Sequence, residues 1–436
     1  MPKKELLEII QDLNFWFKQQ EGGIPREELN LALRLASDKR MALIIAGVRR
    51  AGKTFLARQL ILQELKQIKP EQTLWINFED PSLEPFLNVT SMQEIYQSYR
   101  YFINKEQFAY IVLDEIQNVL GWEKWVRIMM EKGENVKFII TGSSSKIFKS
   151  QIAEVLSGRT ITFNLLPLSF RDFLKFKNYI FKRQETFSSL NSLLYEYLEY
   201  GSFPLVVLSQ EKNYYLKELF DDIILKDIIL KHKLRETEVK KLAVVILNNF
   251  ASFISVKRLQ SLMQSIAQTK ISPTSINNYL YYFEEAFLFL FVPIFSYKIV
   301  EQSQYPRKVY SVDTGLVNAI SLKLSQNLGR LYENVVAVSL WRRVGKENLF
   351  YWKNAAGREV DFVVKEGLKV KQLIQVCYSL SDKKTKEREI RSLLEAIEDF
   401  KLKEGTIITE NYEDEKKIEG KKIRFIPLWK WLLQNK

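Results

Sequence analysis

Short, almost continuously apolar segments alternate with amphipathic stretches along residues 36–165. The apolar segments are MALIIAGV, LWINFED, AYIVLDEI and VKFIITGS, which begin at positions 41, 74, 109 and 136. Strands that are apolar on both faces are typical of a parallel sheet covered by helices on each side. The pattern therefore predicts an α/β fold for residues 36–165, preceded by a helical segment at residues 1–35.

Helical periodicity replaces the strand pattern after this region. Residues 166–236 are predicted to be helical, and residues 237–302 contain three further helical stretches, a grouping that suggests a winged helix. Ser272 fits the N-cap of the last stretch and Pro273 fits its first helical position, where the missing N–H costs nothing. The apolar positions that follow at helical spacing are Ile276, Tyr279, Leu280 and Phe283.

Strand patterns return in residues 303–436. The candidate strands are KVYSVD, NLFYWKN, EVDFVVK, KQLIQVCYS, TIITE and IRFIPL, and helical patterns interrupt them near residues 328–343 and 385–399. Strands that alternate with helices in this way predict a second α/β domain.

A complete G-x-x-x-x-G-K-T motif follows the first apolar strand and precedes the helical stretch FLARQLILQEL. The residues predicted to contact nucleotide are Gly47, Val48, Arg49, Arg50, Ala51, Gly52, Lys53, Thr54 and Phe55. The glycines let backbone amides turn toward a phosphate at the positive end of the helix. Lys53 is expected to pair with β- and γ-phosphate oxygens, and Thr54 is expected to ligate Mg²⁺. The motif therefore predicts a site for ATP with Mg²⁺.

The strand YIVLDE ends in two carboxylates about sixty residues after the P-loop. Asp114, at the carboxyl end of the strand, is expected to hold the Mg²⁺ shell. Glu115, one residue further, is expected to polarise the attacking water as a catalytic base. The pair is interpreted as a Walker B element.

Two further residues are candidates for catalysis. The strand FIITGSSS ends in hydroxyl residues, of which Ser144 is the preferred polar sensor beside the γ-phosphate, with Thr141 and Ser143 as alternatives. Arg159, which follows Gly158, is a candidate for stabilising the charge that develops on the phosphate. Its alternative is an ordinary surface arginine, and the sequence leaves open whether it acts in its own subunit or in a neighbour.

Composition excludes several classes of function. Cys377 and His232 are the single cysteine and the single histidine of the 436 residues, so an intrachain disulfide and a zinc-finger ligand set are excluded. The longest apolar run, AFLFLFVPIF, is shorter than the roughly 20 residues that cross a bilayer, so we expect a cytoplasmic protein without a membrane partner. The net charge of +13 favours partners that carry phosphate, either nucleic acid or an anionic membrane surface, although lysine-rich surfaces are also common on heat-adapted proteins.

Several motifs together resemble a known family. GVRRAGKT, IVLDEIQN, ITGSSS, LSGRT followed by LLPLSF, and GSFP at residues 201–204 are similar to the archaeal and bacterial AAA-type ATPases related to the STAND and MNS ATPases. The C-terminal third resembles the uncharacterised domain usually fused to that ATPase, which is similar to restriction-endonuclease-like folds. The resemblance implies an AAA+-type core, a helical lid with GSFP as its nucleotide-sensing motif, a winged helix and a nuclease-like tail.

The nuclease-like tail lacks part of the chemistry that such enzymes need. They use a helix glutamate, a strand aspartate and a Glu-x-Lys element, and this chain offers Glu333 and Asp361 but Gln375-Val376-Cys377 in the last place. Glutamine is a weaker metal ligand and cysteine carries no positive charge, so the domain at 303–436 is predicted to be inactive. Basic residues near the expected cleft are Arg342, Arg343, Lys353 and Arg358.

The favoured function is an ATP-hydrolysing factor that acts on duplex or branched DNA, as a motor or switch, and works as a homo-oligomer. The residues expected to meet DNA are Lys257, Arg258, Lys270 and Arg358. Tyr279, Tyr281, Tyr282 and Phe283 give the last helix of the winged helix an apolar character that suits packing instead. The alternative function is therefore a nucleotide-dependent switch that binds a protein partner without DNA.

Overall fold

The computed structural model describes residues 3–143, 155–181, 186–321 and 327–434. The chain divides into two compact units, Met1–Leu166 and Pro167–Lys436. No helix in the described ranges is both long enough and apolar enough to span a bilayer.

The first unit is built on a parallel sheet of five strands. These strands are β1 Ala42–Gly47, β2 Thr73–Asn77, β3 Ala109–Asp114, β4 Val136–Gly142 and β5 Thr160–Leu165, in the order β2-β3-β4-β1-β5. Its helices are α1 Lys4–Ile10, α2 Leu29–Ala36, α3 Lys53–Glu64, α4 Val89–Phe102 and α5 Trp122–Glu131. Every residue of β1, β3 and β4 is buried, as their continuous apolar pattern requires. The predicted α/β core is confirmed.

The first 35 residues are less helical than predicted. A 3₁₀ turn at Gln11–Leu13 follows α1, and residues 14–28 form no helix. Some polar groups of this segment bond to the core instead. The Asn14 side chain donates to the carbonyl of Trp75 at 2.9 Å and accepts from its N–H at 2.7 Å. This segment therefore adds polar contacts to strand β2.

The second unit begins with helices. They are α6 Phe170–Phe176, α7 Phe187–Tyr200, α8 Pro204–Leu208 and α9 Lys212–Asp222, followed by a π-helical segment at Ile223–Ile229 and a short turn at Leu230–His232. A helical stretch was predicted here from periodicity, and the π-helical segment was not foreseen, because its sequence IILKDII gives no sign of an i→i+5 pattern.

Three helices and a small antiparallel sheet follow. The helices are α10 Glu236–Asn248, α11 Val256–Ser265 and α12 Pro273–Glu285, and the strands are β6 Ser252–Ile254, β7 Phe289–Val292 and β8 Arg307–Ser311, in the order β6-β8-β7. As predicted, Ser272 caps α12, accepting from the N–H of Ser275. The helix ends at Glu285 because Phe287 has a φ of 57°, and the apolar run after it forms β7.

The remainder of the unit contains a mixed sheet of six strands. Its helices are α13 Ile299–Gln304, α14 Thr314–Ile320, α15 Leu328–Val344, α16 Lys383–Asp399 and α17 Leu428–Gln434. Its strands are β9 Leu349–Lys353, β10 Glu359–Glu366, β11 Lys369–Val376, β12 Glu404–Thr409, β13 Asp414–Ile418 and β14 Lys421–Pro427, in the order β13-β14-β12-β11-β10-β9. Strand β13, DEKKI, was missed because a charged edge strand carries no apolar signal.

Candidate functional site

The loop between β1 and α3 is a tight arch of backbone. A Cβ added to Gly47 would lie 2.1 Å from the carbonyl oxygen of Leu165, so only glycine fits there. Gly52 and Arg50 have φ values of 98° and 64°, in the left-handed region. This geometry places the loop at the N-terminus of α3, where backbone N–H groups and the helix dipole favour a phosphate.

Lys53 lies buried beneath this arch. Its Nζ donates to the carbonyl oxygens of Gly47 and Val48 at 3.3 Å each and lies 3.4 Å from Oε1 of Glu115. The side chain is only 3% exposed, so its charge is directed into the loop and not toward solvent. The other loop residues differ in exposure: Val48 and Ala51 are buried, Arg49 pairs with Glu79 at 3.1 Å, and Phe55 is half exposed.

Asp114 ends strand β3 directly beside the loop. Its Oδ1 accepts from Oγ1 of Thr54 at 3.2 Å and also from Oγ1 of Thr141 on β4. Burial raises the pKa of Asp114 to about 6, against the hydrogen bonds from the two threonines, and the charge of Glu115 adds to the rise. A buried carboxylate beside a second one is favourably neutralised by a cation, so Thr54 and Asp114 fit an oxygen-ligated Mg²⁺.

Glu115 is held in a left-handed conformation with a φ of 51°. Burial favours its neutral form, but Lys53, Gln117 and Arg49 outweigh this and hold the pKa below its usual value. The side chain of Gln117 donates to Oε2 of Glu115 at 2.6 Å. The backbone N–H of Glu115 donates to Oγ1 of Thr141 at 3.1 Å. An ionised carboxylate in a strained, fixed position suits a base that accepts a proton from water.

The other two predicted catalytic residues have different outcomes. Ser144 lies outside the described residues, whereas its alternative Thr141 contacts Asp114 directly. Arg159 precedes β5, and its carbonyl accepts from the N–H of Ala42 at the start of β1. The P-loop follows the opposite end of β1, about 16–20 Å away for a six-residue strand. Arg159, which pairs with Glu131 at 3.2 Å, does not reach the P-loop of its own subunit.

Arg26 is a residue of this site that the sequence did not reveal. Its guanidinium donates to the carbonyl of Ala51 in the P-loop at 2.9 Å and to the carbonyl of Leu166 at 3.1 Å. It also pairs with Glu28 at 3.3 Å, and both side chains are buried. Because the contacts are to backbone carbonyls far away in the chain, no motif signals them. Arg26 therefore links the N-terminal segment to the P-loop by a hydrogen bond.

Replacing Arg26 by Ala should destabilise the protein by about 3–5 kcal/mol, because it removes one member of a buried ion pair together with two hydrogen bonds to backbone carbonyls. It should also weaken ATP binding, since the loop loses its support at Ala51. Thermal unfolding and nucleotide titration check the two effects, with the exposed Arg34→Ala on helix α2 as the control. Unchanged ATP affinity in a folded Arg26 variant would contradict the positioning role.

In the second unit, the residues predicted from the nuclease pattern do come together. Asp361 accepts at Oδ2 from the N–H of Val376, while its own N–H donates to the side chain of Gln375 at 3.1 Å. Glu333 and Asp361 share one partner, Nζ of Lys308, at 3.0 and 2.7 Å. Cys377 is buried, which raises the pKa of its thiol to about 11.

The cations expected around that cleft have partners within the second unit. Arg358, predicted to contact DNA, pairs with Glu395 on α16, so its charge is neutralised within the protein. Arg342 donates to the carbonyl of Pro167, Arg343 covers the ring of Trp431 at 4.1 Å, and Lys353 lies 3.9 Å from Glu359. The contact of Arg358 with DNA stays a prediction.

Two of the four aromatic residues singled out on α12 pack inside the second unit. Tyr279 and Phe283 are buried against the neighbouring helices, so the apolar residues point inward. The exposed positions of the helix are Pro273, Thr274, Asn277, Asn278 and Tyr281. Lys257, Arg258 and Lys270 are exposed nearby in the chain, on α11 and the loop that follows it. The outward face is thus mostly polar.

Comparison with known proteins places this chain among uncharacterised relatives. Residues 39–174 match the model of the AAA domain, and residues 191–327 and 328–431 match two domains of unknown function, DUF8612 and DUF4143. The AAA-type resemblance is thus confirmed for the first of these regions. The crystal structure of Cdc6p from Pyrobaculum aerophilum covers 72% of this chain, and the chain covers 96% of it, at 11% identity and a TM-score of 0.31, which is too low to support an inference about function.

Two relatives match along most of their length. An uncharacterized protein of Haemophilus influenzae is 29% identical over 422 residues, covering 94% of this chain and 99% of the relative. The uncharacterized protein MJ1544 of Methanocaldococcus jannaschii is 39% identical over 405 residues, covering 89% of this chain and 88% of the relative. The chain belongs to the family of MJ1544, with an AAA-type P-loop ATPase domain at its N-terminal end.

Proposed function

We propose that the protein is an ATP-hydrolysing, DNA-associated factor. The observation that carries the ATPase part is the convergence of Lys53, Asp114 and Glu115 at the end of a buried parallel sheet. Lys53 pairs with the β- and γ-phosphates, Thr54 and Asp114 hold Mg²⁺, and Glu115 accepts the proton of the attacking water. Bound Mg²⁺ supplies charge neutralisation at the phosphates.

The DNA part rests on charge and on the arrangement of residues 237–311. Positions 1–166 carry 22 Lys and Arg against 20 Asp and Glu, whereas positions 167–436 carry 43 against 32, so the excess of positive charge lies in the second unit. The order helix, strand, two helices, strand, short helix and strand, with the three strands in one antiparallel sheet, supports a winged helix. In helix-turn-helix proteins the recognition helix enters the major groove, and the polar outward face of α12 suits that position.

Replacing Lys257 and Arg258 together by Ala should weaken DNA binding and lower its salt dependence by about two counterions, because each loses a phosphate contact. Binding of duplex, single-stranded and branched DNA at several salt concentrations measures this. In the control variant two other exposed lysines are replaced, Lys217→Ala and Lys369→Ala, which removes the same charge elsewhere on the protein. Equal losses in both variants would argue for nonspecific attraction and against a winged-helix contact.

A second function, a nucleotide-dependent switch that binds a protein partner, has its own support. Leu205, Leu208 and Tyr214, which lie close together in the chain on α8 and α9, are 47%, 59% and 62% exposed, and apolar side chains exposed as a group can mark a protein interface. The same DNA titration distinguishes the two functions. Absence of DNA binding at low salt would favour the switch.

We also propose that the protein works as a homo-oligomer in which Arg159 serves the ATP site of a neighbour, since it does not reach its own. Arg159→Ala should then slow hydrolysis strongly at nearly unchanged ATP affinity. Mixing it with Lys53→Ala should restore part of the activity, because some sites combine an intact P-loop with an intact arginine. Failure of the mixture to recover activity would contradict the exchange between subunits.

A further inference from the structure

Lys308 lies at the centre of a carboxylate cluster in the second unit. Its Nζ is 2.6 Å from Glu359, 2.7 Å from Asp361 and 3.0 Å from Glu333, and its side chain is only 4% exposed. Tyr310, two residues further on β8, donates to Glu333 at 2.7 Å. The ammonium is thus surrounded by three carboxylates from two different elements, β10 and α15.

The electrostatics of the cluster agree with a permanent cation at this point. Burial alone would lower the pKa of Lys308, but Asp361, Glu333 and Glu359 outweigh it and hold the pKa well above its usual value. Burial raises the pKa of Glu333, and the charge of Asp361 adds to the rise, while Lys308 opposes it. Without the ammonium, the buried Asp361 and the half-buried Glu333 and Glu359 would lose the cation that all three share, and Lys353, 3.9 Å from Glu359, would be left to balance them, which is unfavourable.

The carboxylates are of a type that can ligate a metal ion, although no group of three His, Cys, Asp or Glu in the described ranges is arranged to hold one. Glutamate from a helix and aspartate from a neighbouring strand are oxygen ligands that Mg²⁺ or Mn²⁺ prefers. At separations of 2.6–3.0 Å, however, the ammonium of Lys308 occupies the point that all three carboxylates face, so that no room is left for an ion there. Strand β8 belongs to the three-stranded sheet, whereas β10 and α15 belong to the C-terminal region, so the cluster also joins these two parts.

We propose that Lys308 stands in the position of a divalent metal ion and turns a nuclease-like centre into a metal-free joint between the three-stranded sheet and the C-terminal sheet. The comparison with a metal centre rests on the hypothesis that residues 303–436 resemble a nuclease. The proposal needs neither ATP hydrolysis nor DNA binding, so it can fail while those succeed. Gln375 and Cys377 stand where the nuclease pattern has a glutamate and a lysine. Both differences agree with a centre that no longer binds metal.

The test is thermal unfolding of nucleotide-free full-length protein in EDTA, Mg²⁺ or Mn²⁺. All variants, including the parent, carry Thr54→Ala, so that metal binding at the P-loop does not contribute to the measured unfolding temperature. In EDTA, Lys308→Ala should unfold roughly 5–10 °C lower than its parent, because the carboxylates lose their counter-charge. Mn²⁺ should recover at least half of this loss, because the ion takes the vacated place, and the parent should show no such shift. Lys308→Arg, which keeps the charge, should respond to Mn²⁺ as the parent does.

Adding Asp361→Asn to Lys308→Ala should abolish the recovery by Mn²⁺. Three results would overturn the proposal: a Lys308→Ala protein as stable as its parent, one that Mn²⁺ does not stabilise, or a parent whose own stabilisation by Mn²⁺ is lost with Asp361→Asn. Incubation of the unmodified protein with plasmid, single-stranded and branched DNA in Mg²⁺ or Mn²⁺ adds a second measurement. No cleavage is expected, and cleavage that Asp361→Ala removes would show that the centre holds metal after all.

Discussion

Replacing Glu115 by Gln should leave ATP bound and almost stop its hydrolysis, lowering turnover by a factor of about 10²–10⁴. The amide keeps the size of the side chain and can still contact Gln117, but it cannot accept a proton from water. Lys53, Thr54 and Asp114 remain, so the affinity for ATP should change little. Single-turnover hydrolysis and nucleotide titration separate the two quantities.

The matched control for this variant is Glu94→Gln, which removes a carboxylate that also pairs with a lysine, Lys3, at 3.0 Å. Glu94 lies on α4, away from the P-loop, so turnover should be unchanged. Hydrolysis at the unmodified rate in Glu115→Gln would assign the base to another residue.

Replacing Lys53 by Ala should act on binding instead, and weaken ATP affinity by about two orders of magnitude or more. Each charge-assisted hydrogen bond to a phosphate is worth about 1.5–3 kcal/mol, and Lys53 is expected to make two. Loss of the ammonium also removes the positive charge closest to Glu115, so the carboxylate of Glu115 repels a bound phosphate more strongly.

Lys137→Ala controls for the removal of a buried lysine. Lys137 lies near the N-terminal end of the central strand β4, whereas the P-loop follows the C-terminal end of the neighbouring strand β1. Its Nζ donates to the carbonyl of Asp38 at 2.7 Å. Its loss should lower stability without selective loss of ATP binding. Nucleotide titration by calorimetry compares the two variants, and equal affinities would contradict the role of Lys53.

The parts of the fold that could be predicted from sequence are those in which local pattern and environment agree. Strands β1, β3 and β4 were recognisable because burial on both faces demands continuous apolar residues. Gly47, Lys53 and Asp114 were recognisable because phosphate and Mg²⁺ restrict both residue type and spacing. Strand β13 was not predicted because four of its five residues are charged and it pairs with one neighbour alone, β14, at the edge of the sheet.

The contacts of Arg26 and Lys308 could not be predicted for a different reason. Arg26 bonds to carbonyl oxygens of Ala51 and Leu166, and any residue type could supply these, so the chain has no pattern for them. Lys308 faces carboxylates that are 25 to 53 positions away along the chain. The sequence suggested an incomplete nuclease centre, but only the fold reveals that a lysine from another strand lies within it.

The most direct test of the proposed function is the rate of ATP hydrolysis measured with Mg²⁺ alone and then with duplex, single-stranded or branched DNA. A DNA-associated ATPase should hydrolyse ATP in a Mg²⁺-dependent reaction that Glu115→Gln abolishes, and at least one form of DNA should change the rate. Steady hydrolysis that no DNA alters, in a protein that binds no DNA at low salt, would contradict the DNA association; absence of any Mg²⁺-dependent hydrolysis would contradict the ATPase itself.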